Sequence, residues 1–237
     1  MSHFIGEFIG TALLIILGNG VVANVLLNQT KGHSSGWIVI TFGWAIAVFT
    51  GVYASTSLGG GGHLNPAVTI ALAAFSDFDT SLLLSYIGGQ FAGAFTGAII
   101  VWLTYKKHFD VTTENADAMR AVFCTAPAIR NPLYNLITEA VGTFILVMGA
   151  LLMSKPSASL GTLDALPVAL LVLGIGLSLG GPTGYAINPA RDLAPRIAHF
   201  LLPIRGKGNS DWNYSWVPVL GPIAGGMLAA WVYAFLK

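Results

Sequence analysis

The sequence predicts an all-α membrane protein with six transmembrane helices and two re-entrant half-helices, arranged as an inverted repeat. The first observation is composition: of the 237 residues, 54% are hydrophobic and only 9% are charged, whereas a soluble domain carries roughly 25% charged residues. The second is a set of six long apolar segments. The third is a motif that occurs twice, each time before an apolar run too short to cross a bilayer. Since lipid offers the backbone no hydrogen bonds, the spanning segments are expected to be helices.

Six apolar segments approach the roughly 20 residues that a helix needs to cross about 30 Å of hydrocarbon. They cover residues 4–27, 37–57, 82–105, 133–153, 166–180 and 216–236. The fifth is the shortest, so its helix is expected to begin a little before Leu166. The first lacks a positively charged start and a cleavage site of small residues, so it is interpreted as a spanning helix and not as a signal peptide. The long connection 106–132 holds seven charged residues and is predicted to be a solvated loop.

The repeated motif is Asn-Pro-Ala, found at Asn65, Pro66 and Ala67 and again at Asn188, Pro189 and Ala190. Asn before Pro disfavours the helical region, while Pro suits the first position of a helix, so each Asn is predicted to cap a helix that begins at the following Pro. One such motif alone would be an ordinary capped helix. Two, at corresponding positions of two halves, indicate half-helices that face each other inside the bilayer.

The chain is predicted to be a single transmembrane domain made of two halves, about 1–105 and 133–237. GEFIGTALLI in the first half pairs with TEAVGTFILV in the second, which places Glu7 and Glu139 at matching points. Each half carries three spans, an odd number, so the second half enters the membrane upside down relative to the first. The two glutamates are either proton carriers of a coupled transporter or buried acceptors. One glutamate per half, beside a loop whose N–H groups lack partners, favours the acceptor.

The two half-helices also predict a preference for uncharged solutes. Each helix N-terminus carries about +0.5 elementary charge, and the amides of Asn65 and Asn188 can donate to a passing oxygen. A neutral hydroxylic solute is therefore favoured at this point and a cation is not. Arg191 lies one turn into the second half-helix, where a charge costs about 2.5 to 3.5 kcal/mol unless it faces a wet site. It is predicted to line a pore, the alternative being an arginine that braces a loop.

Other classes of function find no support in the residues. A net charge of +1 gives no field that would attract nucleic acid. The single cysteine, Cys124, excludes an internal disulfide and is no metal site by itself. We find no nucleophile with a base, no paired carboxylates and no phosphate-binding loop, so no enzyme, cofactor or metal is predicted.

Taken together, HLNPAVTIAL, GYAINPARD, the inverted repeat and the two matching glutamates resemble the aquaporin superfamily of major intrinsic proteins over essentially the whole chain. Asp192, directly after the motif arginine, resembles the glycerol facilitator (aquaglyceroporin) branch. The resemblance implies a homotetramer in the cell membrane with cytoplasmic termini, and one passive pore per subunit for glycerol, other small neutral solutes and water. The alternatives are a facilitator mainly of protonated lactic acid, dihydroxyacetone or urea, a strict water channel, or an ion-coupled transporter.

The resemblance also implies where the pore is narrowest. Matching by position assigns this selectivity filter to Trp44, Gly176, Tyr185 and Arg191. Strict water channels carry His where Gly176 stands, and the smaller residue leaves room for a carbon backbone. Phe42 competes with Trp44, because the stretch from Trp44 to Asn65 is one residue longer than usual; Trp44 would then be an interfacial tryptophan. His63 is either a pore-lining residue or a satisfied core histidine.

Orientation in the membrane has two conflicting indications. Eight lysines and arginines lie in connections on one side, whereas the side of both termini has only Lys155 and Lys237. The positive-inside rule therefore favours termini outside the cell. The resemblance implies cytoplasmic termini, and we follow the resemblance because the two inverted halves constrain each other.

Overall fold

The computed structural model of the protein describes residues 2–76, 78–153 and 158–237, and no strand occurs in these ranges. Lys155, which the charge count used, lies outside them. Short 3-10 turns cover Thr80–Leu82, Gly161–Ala165 and Trp212–Tyr214. The α-helices are α1 His3–Leu26, α2 Trp37–Ser57, α3 Pro66–Phe75, α4 Leu83–Thr104, α5 Lys106–Asp110, α6 Ala116–Ala121, α7 Pro132–Leu152, α8 Leu166–Leu179, α9 Pro189–Leu201 and α10 Val217–Leu236.

Six of these helices, with their adjoining 3-10 turns, are long and apolar enough to cross a membrane. The predicted segments and the observed helices differ by at most one residue at each end, which confirms the predicted spans. In the fifth span the α-helix itself begins at Leu166, and the 3-10 turn Gly161–Ala165 extends the span to 19 residues. The extra length expected before Leu166 is therefore present, in a tighter helical form.

The half-helices α3 and α9 are 10 and 13 residues long. At a rise of 1.5 Å per residue they reach only about 15 and 20 Å, roughly half of a membrane. Both begin at the proline of the motif, and the side chain of the preceding asparagine caps the first turn in each case. The more extensive packing of α3 is against α10, and that of α9 is against α4. Each half-helix thus packs mainly on the other half of the chain, so the two repeats interlock.

Glycines allow the spanning helices to approach very closely. α1 packs against α4, and α7 packs against α10 in the equivalent pair of the second half. A Cβ atom added at Gly93 of α4 would lie 2.3 Å from the carbonyl oxygen of Phe8. One added at Gly225 of α10 would lie 2.0 Å from the carbonyl oxygen of Ala140. Neither crossing has room for a methyl group, which is the packing that small residues permit in membranes.

The connection between α4 and α7 differs from the expected solvated loop. It contains the short helices α5 and α6, and it buries the side chains of Phe109, Met119 and Phe123. The rings of Phe109 and Phe123 lie 5.7 Å apart. The charged residues of this connection include exposed pairs such as Lys106 with Asp110, whereas its apolar residues join the core of the helical bundle. The connection is therefore a packed cap on one end of the bundle.

The close crossing of α7 and α10 generates a prediction for stability. Gly225→Ala should lower the thermal midpoint of the detergent-solubilised protein, because overpacking costs about 1 to 3 kcal/mol. Gly174→Ala is the matched control, since a Cβ at Gly174 would meet no atom within 4 Å. Both substitutions raise helix propensity alike. Equal midpoints for the two variants would show that the crossing tolerates a methyl group.

Candidate pore

Residues from both halves of the chain enclose a cavity of about 590 Å³. One face of α2 contributes Trp44, Val48 and Val52, which repeat every four residues and so lie in one row along the helix. Faces of α7 and α8 contribute Leu146, Ala150, Val168 and Val172, the first turn of α9 contributes Arg191, and the two motif loops contribute Leu64, Asn65, Tyr185, Ile187 and Asn188. The cavity therefore runs past both motif asparagines and is largely apolar elsewhere.

The two asparagines are joined across the repeats. Asn65 Nδ2 donates to the carbonyl oxygen of Ile187 at 2.7 Å, and Asn188 Nδ2 donates to that of Leu64 at 2.8 Å. Their Oδ1 atoms accept from the first backbone N–H groups of α3 and α9. An amide NH₂ group carries two donors, so each asparagine keeps a second N–H beyond this cross-link. Both side chains line the cavity.

The residue before each asparagine has an unusual backbone conformation. Leu64 has φ of 51° and Ile187 has φ of 43°, and Tyr185, two residues earlier, has φ of 37°. These angles lie in the left-handed region that residues with a side chain rarely adopt, at a cost of order 1 to 3 kcal/mol each. The carbonyls of Leu64 and Ile187 are the ones that accept from the asparagines. The strained turn and the cross-link therefore occur together in both halves.

Glu7 lies fully buried beneath the first motif loop. Its carboxylate accepts from the backbone N–H of His63 at 3.1 Å and from that of Leu64 at 2.8 Å. Two side chains also donate to it, the hydroxyl of Ser55 and the amide of Gln90. Four donors thus converge on one buried carboxylate.

Glu139 holds the equivalent place beneath the second loop and is 1% exposed. It accepts from the backbone N–H of Ala186 at 3.0 Å and from that of Ile187 at 2.7 Å. In both halves the backbone donors are the N–H group of the strained residue before the asparagine and that of the residue preceding it, and these N–H groups have no helical partner. A buried N–H without an acceptor costs about 1 to 3 kcal/mol.

Trp44 and Arg191 meet at one end of the cavity. The guanidinium carbon of Arg191 lies 4.2 Å from the centre of the Trp44 ring system, and the two residues are 7% and 4% exposed. Phe42, the competing residue, is 51% exposed and does not line the cavity. Two residues along a helix turn by about 200°. Trp44 and Phe42 therefore occupy opposite faces of α2, and the inner face belongs to Trp44.

Gly176 is buried near this end but is not among the residues that line the cavity. A Cβ atom added there would lie 2.8 Å from Cζ of Tyr185 and 3.0 Å from its hydroxyl oxygen. The room expected beside Gly176 is therefore taken by the Tyr185 ring, which does line the cavity. Gly176 therefore affects the shape of the cavity indirectly, by leaving the space that the Tyr185 ring occupies.

His63 both lines the cavity and makes a hydrogen bond. Its Nδ1 lies 3.1 Å from the Thr69 hydroxyl, which itself donates to the carbonyl oxygen of Asn65 and accepts from Gln90. Because the hydroxyl proton is already used, Nδ1 is the donor to it, and Nε2 of a neutral ring is then an acceptor. Both alternatives from the sequence therefore describe part of what is seen: His63 lines the cavity, and its ring is also hydrogen-bonded within the protein.

Asp192 lies outside the cavity and is fully buried. It accepts from the backbone N–H and the hydroxyl of Thr125, each at 2.7 Å, and from Arg196 at 2.7 and 2.9 Å. Arg196 also donates to the carbonyls of Thr125, Ser210 and Asp211. This desolvated ion pair joins α9 to the connection between α4 and α7 and to the connection between α9 and α10.

Sequence reasoning did not identify several of these partners. Ser55 and Gln90 sit on α2 and α4 with no local pattern that marks them. The opposite charges of Asp192 and Arg196, four residues apart on one helix face, were a signal that could have been used. Across the described ranges no group of three His, Cys, Asp or Glu side chains could hold a metal ion.

Comparison with known proteins places this geometry in a family. The family model described as Major intrinsic protein matches residues 1–233. A protein of Thermotoga maritima named "Probable glycerol uptake facilitator protein" is 56% identical over 236 residues, which cover 100% of each chain. A protein of Lactiplantibacillus plantarum named "D/L-lactic acid transporter" is 40% identical over 238 residues, 98% of this chain and 96% of the other.

The fold also matches a solved structure. The X-ray structure of the aquaglyceroporin from Plasmodium falciparum superimposes with a TM-score of 0.86 and 32% sequence identity, covering 98% of this chain and 96% of that one. The match confirms the predicted fold class of six spanning helices with two half-helices. With a family model over nearly the whole chain and a full-length relative at 56% identity, this multi-pass membrane protein belongs to the major intrinsic protein family.

Proposed function

We propose that this protein is a passive channel that conducts glycerol, other small uncharged solutes and water across a membrane. The cavity carries the proposal, because its lining combines a few polar donors with many apolar side chains. The motif asparagines and Arg191 supply the donors, and Trp44, Val48 and Val172 belong to the apolar wall. A polyol has hydroxyl groups that can accept from the donors and a carbon backbone that can contact the apolar side chains, so it suits this lining. The Thermotoga relative, named for glycerol uptake, supports this choice.

The half-helices explain why the channel would refuse ions. α3 and α9 both begin directly after the motif asparagines that cap them, so two helix N-termini with about +0.5 elementary charge each meet at the cavity. A cation is repelled there. An anion would lose its water in a cavity whose lining is largely apolar, and this loss is costly. A neutral solute is neither repelled by the helix N-termini nor subject to this desolvation cost.

The narrow end of the channel is assigned to Trp44, Tyr185 and Arg191. The stack of Arg191 on the Trp44 ring holds the guanidinium against an aromatic face, which contributes about 0.5 to 2 kcal/mol. The arginine then presents N–H donors while the two aromatic rings form the apolar corner. Gly176 belongs to this set indirectly, by making room for Tyr185.

The remaining site residues are assigned supporting roles. Glu7 and Glu139 accept from the loop N–H groups and keep the strained turns in place. His63 contributes to the lining beside the first motif loop. Asp192 holds α9 through Arg196 and Thr125. The homotetramer, the cell membrane, the cytoplasmic termini and the division into halves at 1–105 and 133–237 stay predictions of the resemblance and the repeat.

Protonated lactic acid is a second candidate solute. The Lactiplantibacillus relative is named for D- and L-lactic acid transport. Neutral lactic acid carries a hydroxyl and a carboxyl group on a short carbon chain, so the mixed polar and apolar lining of the cavity suits it as well.

The proposed role of Glu139 can be tested by removing its acceptors. Glu139→Ala should leave two buried N–H groups unpaired, at about 1 to 3 kcal/mol each, and so lower the thermal midpoint and the permeability per molecule. Glu139→Gln keeps one acceptor oxygen and should be less affected. Glu114→Ala, at an exposed position, is the control. Full stability and flux in Glu139→Ala, with an altered pH dependence, would instead support a proton-carrying role.

Glycerol conduction is tested in proteoliposomes by stopped-flow light scattering. Under an inward glycerol gradient the vesicles should shrink and then swell again faster than protein-free vesicles, whereas under a sucrose gradient they should only shrink. No membrane current should accompany the flux, because only neutral solutes pass. Re-swelling no faster than in protein-free vesicles would rule out the glycerol channel.

The same assay separates the two aromatic candidates of α2. Trp44→Ala should change the ratio of glycerol to water permeability by roughly threefold or more, on the scale of one lost cation–π contact. Phe42→Ala removes an aromatic ring from the outer face of the same helix and should leave the ratio unchanged. The opposite pattern would return the filter assignment to Phe42.

Lactic acid provides a test through pH. If only the protonated acid passes, lactate flux should fall about tenfold for each pH unit above the pKa of the acid, because the neutral fraction falls by that factor. Glycerol flux over the same pH range is the internal control and should stay constant. A flux that follows the anion concentration, or that carries current, would contradict the neutral-solute mechanism.

A further inference from the structure

We propose that Trp37 is a specificity-determining residue that positions the Tyr185 ring and thereby sets the width of the channel at its narrow end. The inference rests on the proposed channel function. Trp37 is the first residue of α2 and lies seven residues before Trp44. Seven residues make nearly two turns, so the two tryptophans lie on the same face of α2, about 10 Å apart along its axis. Trp37 therefore lies about two turns nearer the start of α2 than Trp44, beyond the end of the cavity at which Trp44 and Arg191 meet.

Among the described residues, no hydrogen bond holds the side chain of Tyr185. Its backbone is in the left-handed region, and within the described ranges its buried hydroxyl has no hydrogen-bond partner. The two backbone N–H groups that Glu139 binds belong to the residues that follow, Ala186 and Ile187. The direction of the ring must therefore be set by the atoms packed around it.

Trp37 is the aromatic partner of that ring. The two rings meet edge to face, with centroids 5.8 Å apart and an interplanar angle of 76°, an arrangement that aromatic pairs favour. Trp37 is itself fixed, because its indole Nε1 donates to the carbonyl oxygen of Gly176 at 3.0 Å. That carbonyl lies in the last turn of α8, where helix carbonyls are free to accept from outside the helix. The indole thus connects α2, α8 and the Tyr185 ring.

Gly180 completes this arrangement. A Cβ atom added at Gly180 would lie 2.6 Å from Cζ2 of Trp37 and 2.6 Å from Cδ1 of Tyr185, so the two rings occupy the space of the missing side chain. Gly176 and Gly180, four residues apart on one face at the end of α8, thus form the surface on which the Tyr185 ring lies. Removing Trp37 would let the ring withdraw from the cavity, and adding a methyl at Gly180 would push it forward.

These opposite displacements give opposite expectations for solute size. In proteoliposomes, Trp37→Ala should raise the ratio of erythritol to glycerol permeability by about threefold or more, the scale of one lost aromatic pair. Gly180→Ala should lower the same ratio. Trp37→Phe, which keeps a ring but loses the N–H donor, should fall between the wild type and Trp37→Ala. All rates are normalised to incorporated protein.

Trp216→Ala is the matched control. Trp216 is 40% exposed, close to the 39% of Trp37, and it precedes α10 at the same end of the bundle, without a contact to Tyr185 among the aromatic pairs described. It should leave the ratio unchanged. A purely structural role for Trp37 would lower the flux of all solutes together and keep the ratio constant.

The outcomes separate the inference from the proposed function. A wild type that conducts glycerol, with a ratio that Trp37→Ala and Gly180→Ala both leave unchanged, overturns this inference alone. A wild type that passes no glycerol overturns the proposed function together with the inference. Should Trp37→Ala fail to fold, Trp37→Phe and Gly180→Ala carry the same test.

Discussion

The structure depends on one constraint, which is that backbone N–H groups inside a bilayer must find acceptors within the protein. Two non-helical loops lie within this bundle, and they contain residues with positive φ, 51° at Leu64 and 37° and 43° at Tyr185 and Ile187, whose N–H groups no helix or sheet pairs. One buried glutamate per half accepts from the N–H groups of each loop. The same constraint explains why the asparagine amides donate across the repeat to the loop carbonyls.

The hydrogen bonds that satisfy the loop backbone also position the polar groups of the cavity. Once the loop backbone is held by the glutamates and by the cross-link, each asparagine retains one N–H donor next to a helix N-terminus. The helices around the cavity pack closely because glycines let α1 meet α4, and α7 meet α10, with backbone in contact. The interlocking of α3 with α10 and of α9 with α4 then joins the two halves around one pathway.

Several polar contacts outside the cavity serve to hold its walls. Asp192 and Arg196 form a buried pair, whose desolvation is repaid only because Thr125 and the carbonyls of 210 and 211 complete their hydrogen bonds. Lys207 donates to three carbonyls at the C-terminal end of α9, where a cation also suits the helix dipole. The second half-helix is thus fixed at both ends.

The sequence by itself determined the six spans, both half-helices and their asparagine caps, because apolar length and capping depend on residues close together in the chain. It also singled out the two glutamates and Arg191, since a charge in an apolar segment needs a reason. The tertiary structure alone decided that Trp44 faces inward while Phe42 faces outward, and that Tyr185 fills the space beside Gly176. It also revealed Trp37 as a partner of Gly176, 139 residues away. Such contacts depend on how distant helices pack against each other, and no local pattern encodes that packing.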